Sequence, residues 1–291
     1  MSEVRSIAVV GAGTMGSGIA LAAALTPGDG IRAYQVDVSS DQLEKARAYH
    51  AKTFKRNVDK GRMTAEAADA AAARISYHTD LADAADADWA VEAVLEELNL
   101  KKSIFGAMNE ILGPDVILAT NTSSISITSL GEAVGDAAER VIGMHFFNPV
   151  PIMKLVEVIK GKATSEQTTR RTLALAERMG KTPVPANDRA GFVSNRVLMP
   201  LINEAFHAWM DGVAEPEHID QIMVLGCNFP MGPLRLADYI GLDVCVNIMN
   251  VMRDGLNSDK YAPCPKLVEL VEQGRLGDKT GRGVFEYQKK G

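Results

Sequence analysis

Through the first two-thirds of the chain, short apolar runs alternate with longer stretches in which apolar residues recur at helical spacing. The runs cover residues 7–10, 31–36, 89–94, 116–120, 141–144 and 155–159. Strand-length runs separated by helical stretches predict an α/β fold with a mostly parallel sheet covered by helices. Beyond about Asn187 the strand pattern stops. Apolar residues then recur at helical spacing over 192–210, 219–225 and 243–252, which predicts an all-α C-terminal domain. Residues 65–88, rich in alanine and aspartate, read as a helix and a loop, because alanine favours helix. Residues 183–190 contain two prolines and suit a connector, so the expected domains are 1–187 and 188–291.

Composition narrows the class. The chain has 291 residues, 46% hydrophobic and 23% charged, enough apolar content for two buried cores and no apolar run of membrane-spanning length. A net charge of -6 excludes an overall basic field for nucleic acid, so any anion site must be local. Three cysteines without a C-x-x-C spacing indicate neither a disulfide framework nor a metal site. The first strand follows Met1 almost at once, so the expected location is the cytoplasm.

The first run leads into Gly11-Ala12-Gly13-Thr14-Met15-Gly16 and then a small, apolar helical stretch. This G-x-G-x-x-G string stands in the strand–turn–helix context of a Rossmann-type dinucleotide-binding unit. There the glycines permit a tight turn, approach of the pyrophosphate and close helix packing. The second run ends in Asp37, 21 residues beyond Gly16. An acidic side chain there accepts the ribose hydroxyls and repels a 2′-phosphate, favouring NAD over NADP.

Other candidates lie at later strand ends. His145 closes the run 141–144, and in an open α/β sheet ligands lie beyond the carboxyl ends of strands. In the next run Glu157 is embedded among apolar residues. A buried carboxylate needs a partner: His145 across adjacent strands is one candidate, and Lys154 is the other. Paired with Glu157, the imidazole becomes a better general base. Asn121-Thr122-Ser123-Ser124 ends another strand and, by itself, reads as a turn or helix cap. Asn195 shares a helix face with Leu198, Met199, Ile202 and Phe206, where its amide needs a partner from backbone or ligand. Lys52, Lys55, Arg56 and Lys60 fall on one helix edge, which is either a solvated face or a phosphate-binding one.

Taken together, GAGTMGSGIA at 11–20, NTSSISIT at 121–128, VIGMHFFNPVPIMKLVEVI at 141–159, AGFVSNR at 190–196, MGPLRLADYIGLD at 231–243 and KTGRGVFEY at 279–287 resemble the 3-hydroxyacyl-CoA dehydrogenase family. The likeness is closest to its bacterial short-chain members, which act on 3-hydroxybutyryl-CoA. It implies an NAD-dependent oxidoreductase for L-3-hydroxyacyl-CoA, with His145 as the base and Glu157 holding it. It further implies that Ser123 and Asn195 bind the reacting part of the substrate, with Ser123 also near the nicotinamide. Asp37, Glu96, Lys101 and Lys279 are implied NAD contacts, and Thr53 and Lys60 coenzyme A contacts. Two departures stand out: residues 26–30 enlarge a turn, and Asp278 stands where a basic neighbour of Lys279 is common.

A dehydrogenase of a free hydroxy acid, or a non-catalytic crystallin-like or NAD-sensing relative, remains compatible with the same fold. The helix over 192–210 carries apolar residues around much of its circumference. Both this and the resemblance lead to the expectation of a homodimer through the C-terminal domain.

Overall fold

The computed structural model describes residues 4–287. Eight strands, β1 (Ser6–Val10), β2 (Arg32–Val36), β3 (Ile75–His78), β4 (Trp89–Glu92), β5 (Ile117–Thr120), β6 (Val141–Phe146), β7 (Leu155–Lys160) and β8 (Thr182–Asn187), form one sheet in the order β3-β2-β1-β4-β5-β6-β7-β8. Strands β1 to β6 are parallel, β7 is antiparallel to β6, and β8 is parallel to β7. β1, β4, β5 and β6 are buried along their whole length. Because successive side chains point to opposite faces, this means both faces of the sheet centre are covered. The helices of this part are α1 (Thr14–Ala24), α2 (Ser40–Asp59), α3 (Ala65–Ala72), α4 (Leu98–Ile111), α5 (Ile127–Gly131) and α6 (Glu166–Arg178).

All six strands expected from apolar runs are present, with ends shifted by no more than about two residues. Two expectations are corrected. Within 65–88 the helix is α3, but the segment after it contains β3, paired with β2 at the sheet edge. An edge strand needs little apolar surface, and of its residues only Ile75 is fully buried. The supposed connector is largely β8, which forms the opposite edge beside β7. Its prolines are compatible with this because they alternate. Thr182 and Asp188 donate their N–H groups to Lys154 and Lys160, so even-numbered residues face β7, while Pro183 and Pro185 face away, where no donor is needed.

The chain divides into two compact units after Asp188. The second holds α7 (Ser194–Met210), α8 (Pro216–Cys227), α9 (Pro233–Ile240), α10 (Leu242–Leu256) and α11 (Pro265–Glu272). Proline opens α8, α9 and α11, where its missing N–H has no intrahelical use. The core gathers Met199, Ile202, Phe206, Leu234, Met249, Met252 and Leu267, all nearly inaccessible. Two aspartates organise the polypeptide around α9. Asp220 accepts from the N–H groups of Leu234 and Arg235 at 2.8 Å each, capping that helix from another. Buried Asp238 accepts from Val284, Phe285 and the Tyr287 hydroxyl, which fastens the segment after Thr280. Among the described residues no helix is long and apolar enough to cross a membrane.

Candidate active site

The turn after β1 shows what its glycines are for. Gly11 has φ +105°, a region L side chains rarely adopt, and a Cβ there would come within 2.6 Å of the Ala93 carbonyl oxygen. A Cβ on Gly16 would collide with the carbonyl oxygen of Gly11. Gly13 is different: a Cβ on it would meet nothing within 4 Å. No protein contact therefore requires glycine there, whereas a pyrophosphate approaching the backbone would. Gly13 and Thr14 are exposed and Met15 is half-buried, so the first turn of α1 presents its free N–H groups outward. Asp37 closes β2, with one carboxylate oxygen accepting from Ala12 N–H at 2.8 Å and the other from Ser39 N–H at 2.9 Å. It braces the glycine turn and keeps further lone pairs for a ribose. Val38 (93% exposed) and Leu95 (76%) stand beyond the carboxyl ends of the two strands flanking β1, apolar surface suited to an adenine ring. These features fit a dinucleotide: the turn Gly11–Gly16 would hold its pyrophosphate and Asp37 its ribose.

Beyond β4 and β5 the charged candidates converge. Lys101, on α4 and 1% exposed, lies 2.6 Å from Glu92 and 3.2 Å from Glu96. One oxygen of Glu96 accepts from the Thr122 hydroxyl, from the N–H of Ser123 at 2.9 Å, and from both the N–H and hydroxyl of Ser124 at 3.0 Å. Burial pushes the Glu96 carboxyl upward, but the Lys101 charge and these hydrogen bonds outweigh it and hold the group below the usual carboxylate range. Residues 121–124 are thus a turn gripped by a carboxylate, not a helix cap; the cap of α5 is Ser126. Asn121 reaches sideways, accepting from Phe146 N–H at 2.9 Å and so stitching the end of β5 to β6.

His145 and Glu157 are register partners across the antiparallel β6–β7 pair, with Nδ1 2.8 Å from a carboxylate oxygen. Lys154, the other candidate partner, is exposed at the start of β7, whereas Glu157 is 4% exposed. A carboxylate only accepts, so Nδ1 carries a hydrogen, and in the neutral ring Nε2 is then the basic nitrogen. The Phe147 ring lies 4.7 Å from the imidazole, centroid to centroid, and limits its tilt.

The other sequence candidates are placed as follows. Asn195, 8% exposed, opens α7 on the buried face with Met199, Ile202 and Phe206, as its spacing predicts. In the same unit Lys279 pairs with Asp243 at 2.7 Å, and Asp278 forms a two-pronged pair with Arg235 at 2.8 and 3.0 Å. The departure at Asp278 thus has a local structural use. Lys60 is exposed at the end of α2, but Thr53 lies on the inward stripe with Leu43, Ala46, His50 and Phe54, offering little surface to a ligand. Lys55 of the basic edge is paired with Asp59, which dilutes its charge.

Two buried residues were not singled out from sequence. His50, 2% exposed, bridges the Ser17 carbonyl at 2.8 Å and the Tyr77 hydroxyl at 2.7 Å beneath α1. Glu92 has no exposed surface. Its signal was available, since it is a carboxylate in an apolar run like Glu157.

A dinucleotide cradle and a His–Glu pair at one edge of a doubly wound sheet define a nicotinamide-dependent oxidoreductase. The family models for the 3-hydroxyacyl-CoA dehydrogenase NAD binding domain and C-terminal domain match residues 6–189 and 191–287. The chain belongs to the 3-hydroxyacyl-CoA dehydrogenase family and is an NAD-dependent oxidoreductase. It is 50% identical over 288 residues to a probable 3-hydroxybutyryl-CoA dehydrogenase of Bacillus subtilis, covering 99% of each chain. It is 44% identical over 285 residues to the 3-hydroxybutyryl-CoA dehydrogenase of Bradyrhizobium diazoefficiens, covering 98% of this chain and 96% of that one. Among solved structures, the (S)-3-hydroxybutyryl-CoA dehydrogenase of Ralstonia eutropha superposes with a TM-score of 0.94 at 44% identity, over 99% of this chain and 100% of that one.

Proposed function

We propose that this chain interconverts (S)-3-hydroxybutyryl-CoA and acetoacetyl-CoA, with His145 as general base. The observation that carries this reading is the buried His145–Glu157 pair at the carboxyl edge of the sheet, in which the Glu157 carboxylate accepts from Nδ1–H and makes Nε2 the basic nitrogen of the neutral ring. In the oxidative direction Nε2 takes the proton of the 3-hydroxyl while Nδ1–H stays on Glu157, whose negative charge stabilises the imidazolium as it forms. In reduction the imidazolium returns that proton to the 3-oxygen. When bound, the nicotinamide supplies the two-electron exchange with C3. Ser123 and Asn195 hold the reacting end of the substrate. Glu96, Lys101 and Lys279 join Asp37 in holding NAD, and Lys60 holds coenzyme A, whereas Thr53, buried on the inward stripe of α2, is left out of that contact.

The unit after Asp188 is assigned to substrate binding and dimerisation, and the enzyme to the cytoplasm. Support for the dimer comes from the apolar surface of that unit: Val197 is 67% exposed, Val213 74%, Ile222 63% and Leu225 74%. The test of function is a steady-state comparison of 3-ketoacyl-CoA substrates from four to sixteen carbons, with NADH and with NADPH, alongside free acetoacetate. Acetoacetyl-CoA with NADH should be the preferred pair. Reduction of free acetoacetate at a similar rate would favour a free hydroxy acid as substrate instead.

A further inference from the structure

The Glu92 carboxylate is fully buried, and each partner it has is a donor. One oxygen accepts from Val94 N–H at 2.7 Å and from Lys101 Nζ at 2.6 Å, and the other from the Thr120 hydroxyl at 2.7 Å. An all-donor shell is that of an ionised carboxylate. Buried ion pairs are a poor source of stability, since packed apolar side chains often serve as well or better. The Glu92–Lys101 pair therefore calls for another use, and its connections indicate one.

Two routes lead from Glu92 to the turn bearing Ser123. In the first, Lys101 bridges Glu92 to Glu96, and Glu96 holds the N–H groups of Ser123 and Ser124. In the second, the Thr120 hydroxyl, having donated its proton to Glu92, accepts from Thr122 N–H at 3.0 Å. Both routes start on one carboxylate, and their donor–acceptor directions run without conflict.

We propose that Glu92 is a positioning residue of the active site, fixing Lys101 against Glu96 and Thr120 against Thr122, and so setting the place of the Ser123 turn. This rests on the reading that Ser123 binds the reacting groups. The same cluster has an electrostatic consequence. Two carboxylates and one ammonium leave a net negative charge behind the turn. A nicotinamide beside Ser123 is a cation when oxidised and neutral when reduced, so the cluster favours NAD⁺ over NADH.

The test uses Glu92→Gln, which keeps the shape and one accepting oxygen while removing the charge, and Glu92→Asp, which keeps the charge. Turnover of acetoacetyl-CoA by the unaltered enzyme, and its loss in Ser123→Ala, first establish the underlying reading independently. Glu92→Gln should lower kcat by about 10- to 100-fold, the scale of an ångström-sized misplacement. It should also raise the ratio of the NAD⁺ to the NADH dissociation constant by about fivefold, as loss of a nearby charge requires. Glu92→Asp should restore most of that ratio. Both dissociation constants are read by fluorescence titration and folding by the thermal midpoint. A purely structural role would weaken both cofactor forms together and in step with the midpoint, and that result, or an unchanged kcat, would overturn the proposal. Should Glu92→Gln fail to fold, Thr120→Val decides. A kcat reduced severalfold with a near-normal midpoint supports the proposal, and an unchanged kcat refutes it.

Discussion

Exchanging Glu157 for Gln removes one charge and one accepting oxygen, while the amide oxygen can still accept from His145 Nδ1–H across the present 2.8 Å. Solvent cannot substitute for the lost charge, because His145 and Glu157 are only 6% and 4% exposed. Two full charges about 4 Å apart interact by about 4 kcal/mol at an effective dielectric constant of about 20. Proton transfer is incomplete in the transition state and the amide dipole retains part of the attraction, so about 1.5–3 kcal/mol of stabilisation should be lost. That corresponds to a fall in kcat of about 10- to 100-fold. The assay is NADH oxidation at saturating acetoacetyl-CoA, with NADH affinity and the thermal midpoint measured on the same protein. NADH binding should stay within a factor of about two, because the exchange leaves the cofactor cradle untouched. A kcat within about threefold of the unaltered enzyme, in a protein that folds normally, would refute the role given to Glu157.

Asp37→Ala should weaken NADH binding more than NADPH binding, because it removes both a brace of the glycine turn and a charge opposing a 2′-phosphate; equal losses in titrations of the two would confine Asp37 to the fold. Lys60→Ala should raise KM for acetoacetyl-CoA severalfold at low salt and less at high salt while sparing NADH affinity, and a KM change indifferent to salt would count against a phosphate contact. Burial holds the His50 imidazole below its ordinary 6.5 despite the Ser17 carbonyl. The unfolded chain thus takes up that proton first: the stability tied to neutral His50 is complete above pH 6.5 and is lost as pH falls through the depressed value. The thermal midpoint should accordingly drop below pH 6.5 more steeply for the unaltered protein than for His50→Asn, and parallel curves would discard the idea. Light scattering at micromolar concentration should give twice the 31.2 kDa chain mass, and the double change Ile222→Glu, Leu225→Glu should halve it; a fully active monomer before any change would contradict the dimer.

Much of this protein could be read from local pattern. A glycine turn between a strand and a helix, an acid at the end of the next strand, and a histidine just past an apolar run each carry their meaning within a few residues. Glu157 was legible for the same reason, a charge set among apolar neighbours, although its choice between His145 and Lys154 was made by strand pairing. The two edge strands were hidden because an edge is covered less completely: β3 needs little apolar surface, and β8 can carry prolines wherever its N–H groups would face away from the sheet. Glu92 shows the other limit. Its strand pattern announced a buried carboxylate, but Thr120 lies 28 residues away in sequence and becomes its neighbour only because β4 and β5 pair in the register that sets them opposite. Sequence pattern can state that a buried charge must be neutralised, because that follows from the energetics of desolvation. Which group neutralises it, and which turn is thereby held in place, depends on strand register and helix placement, and those exist only once the chain has folded.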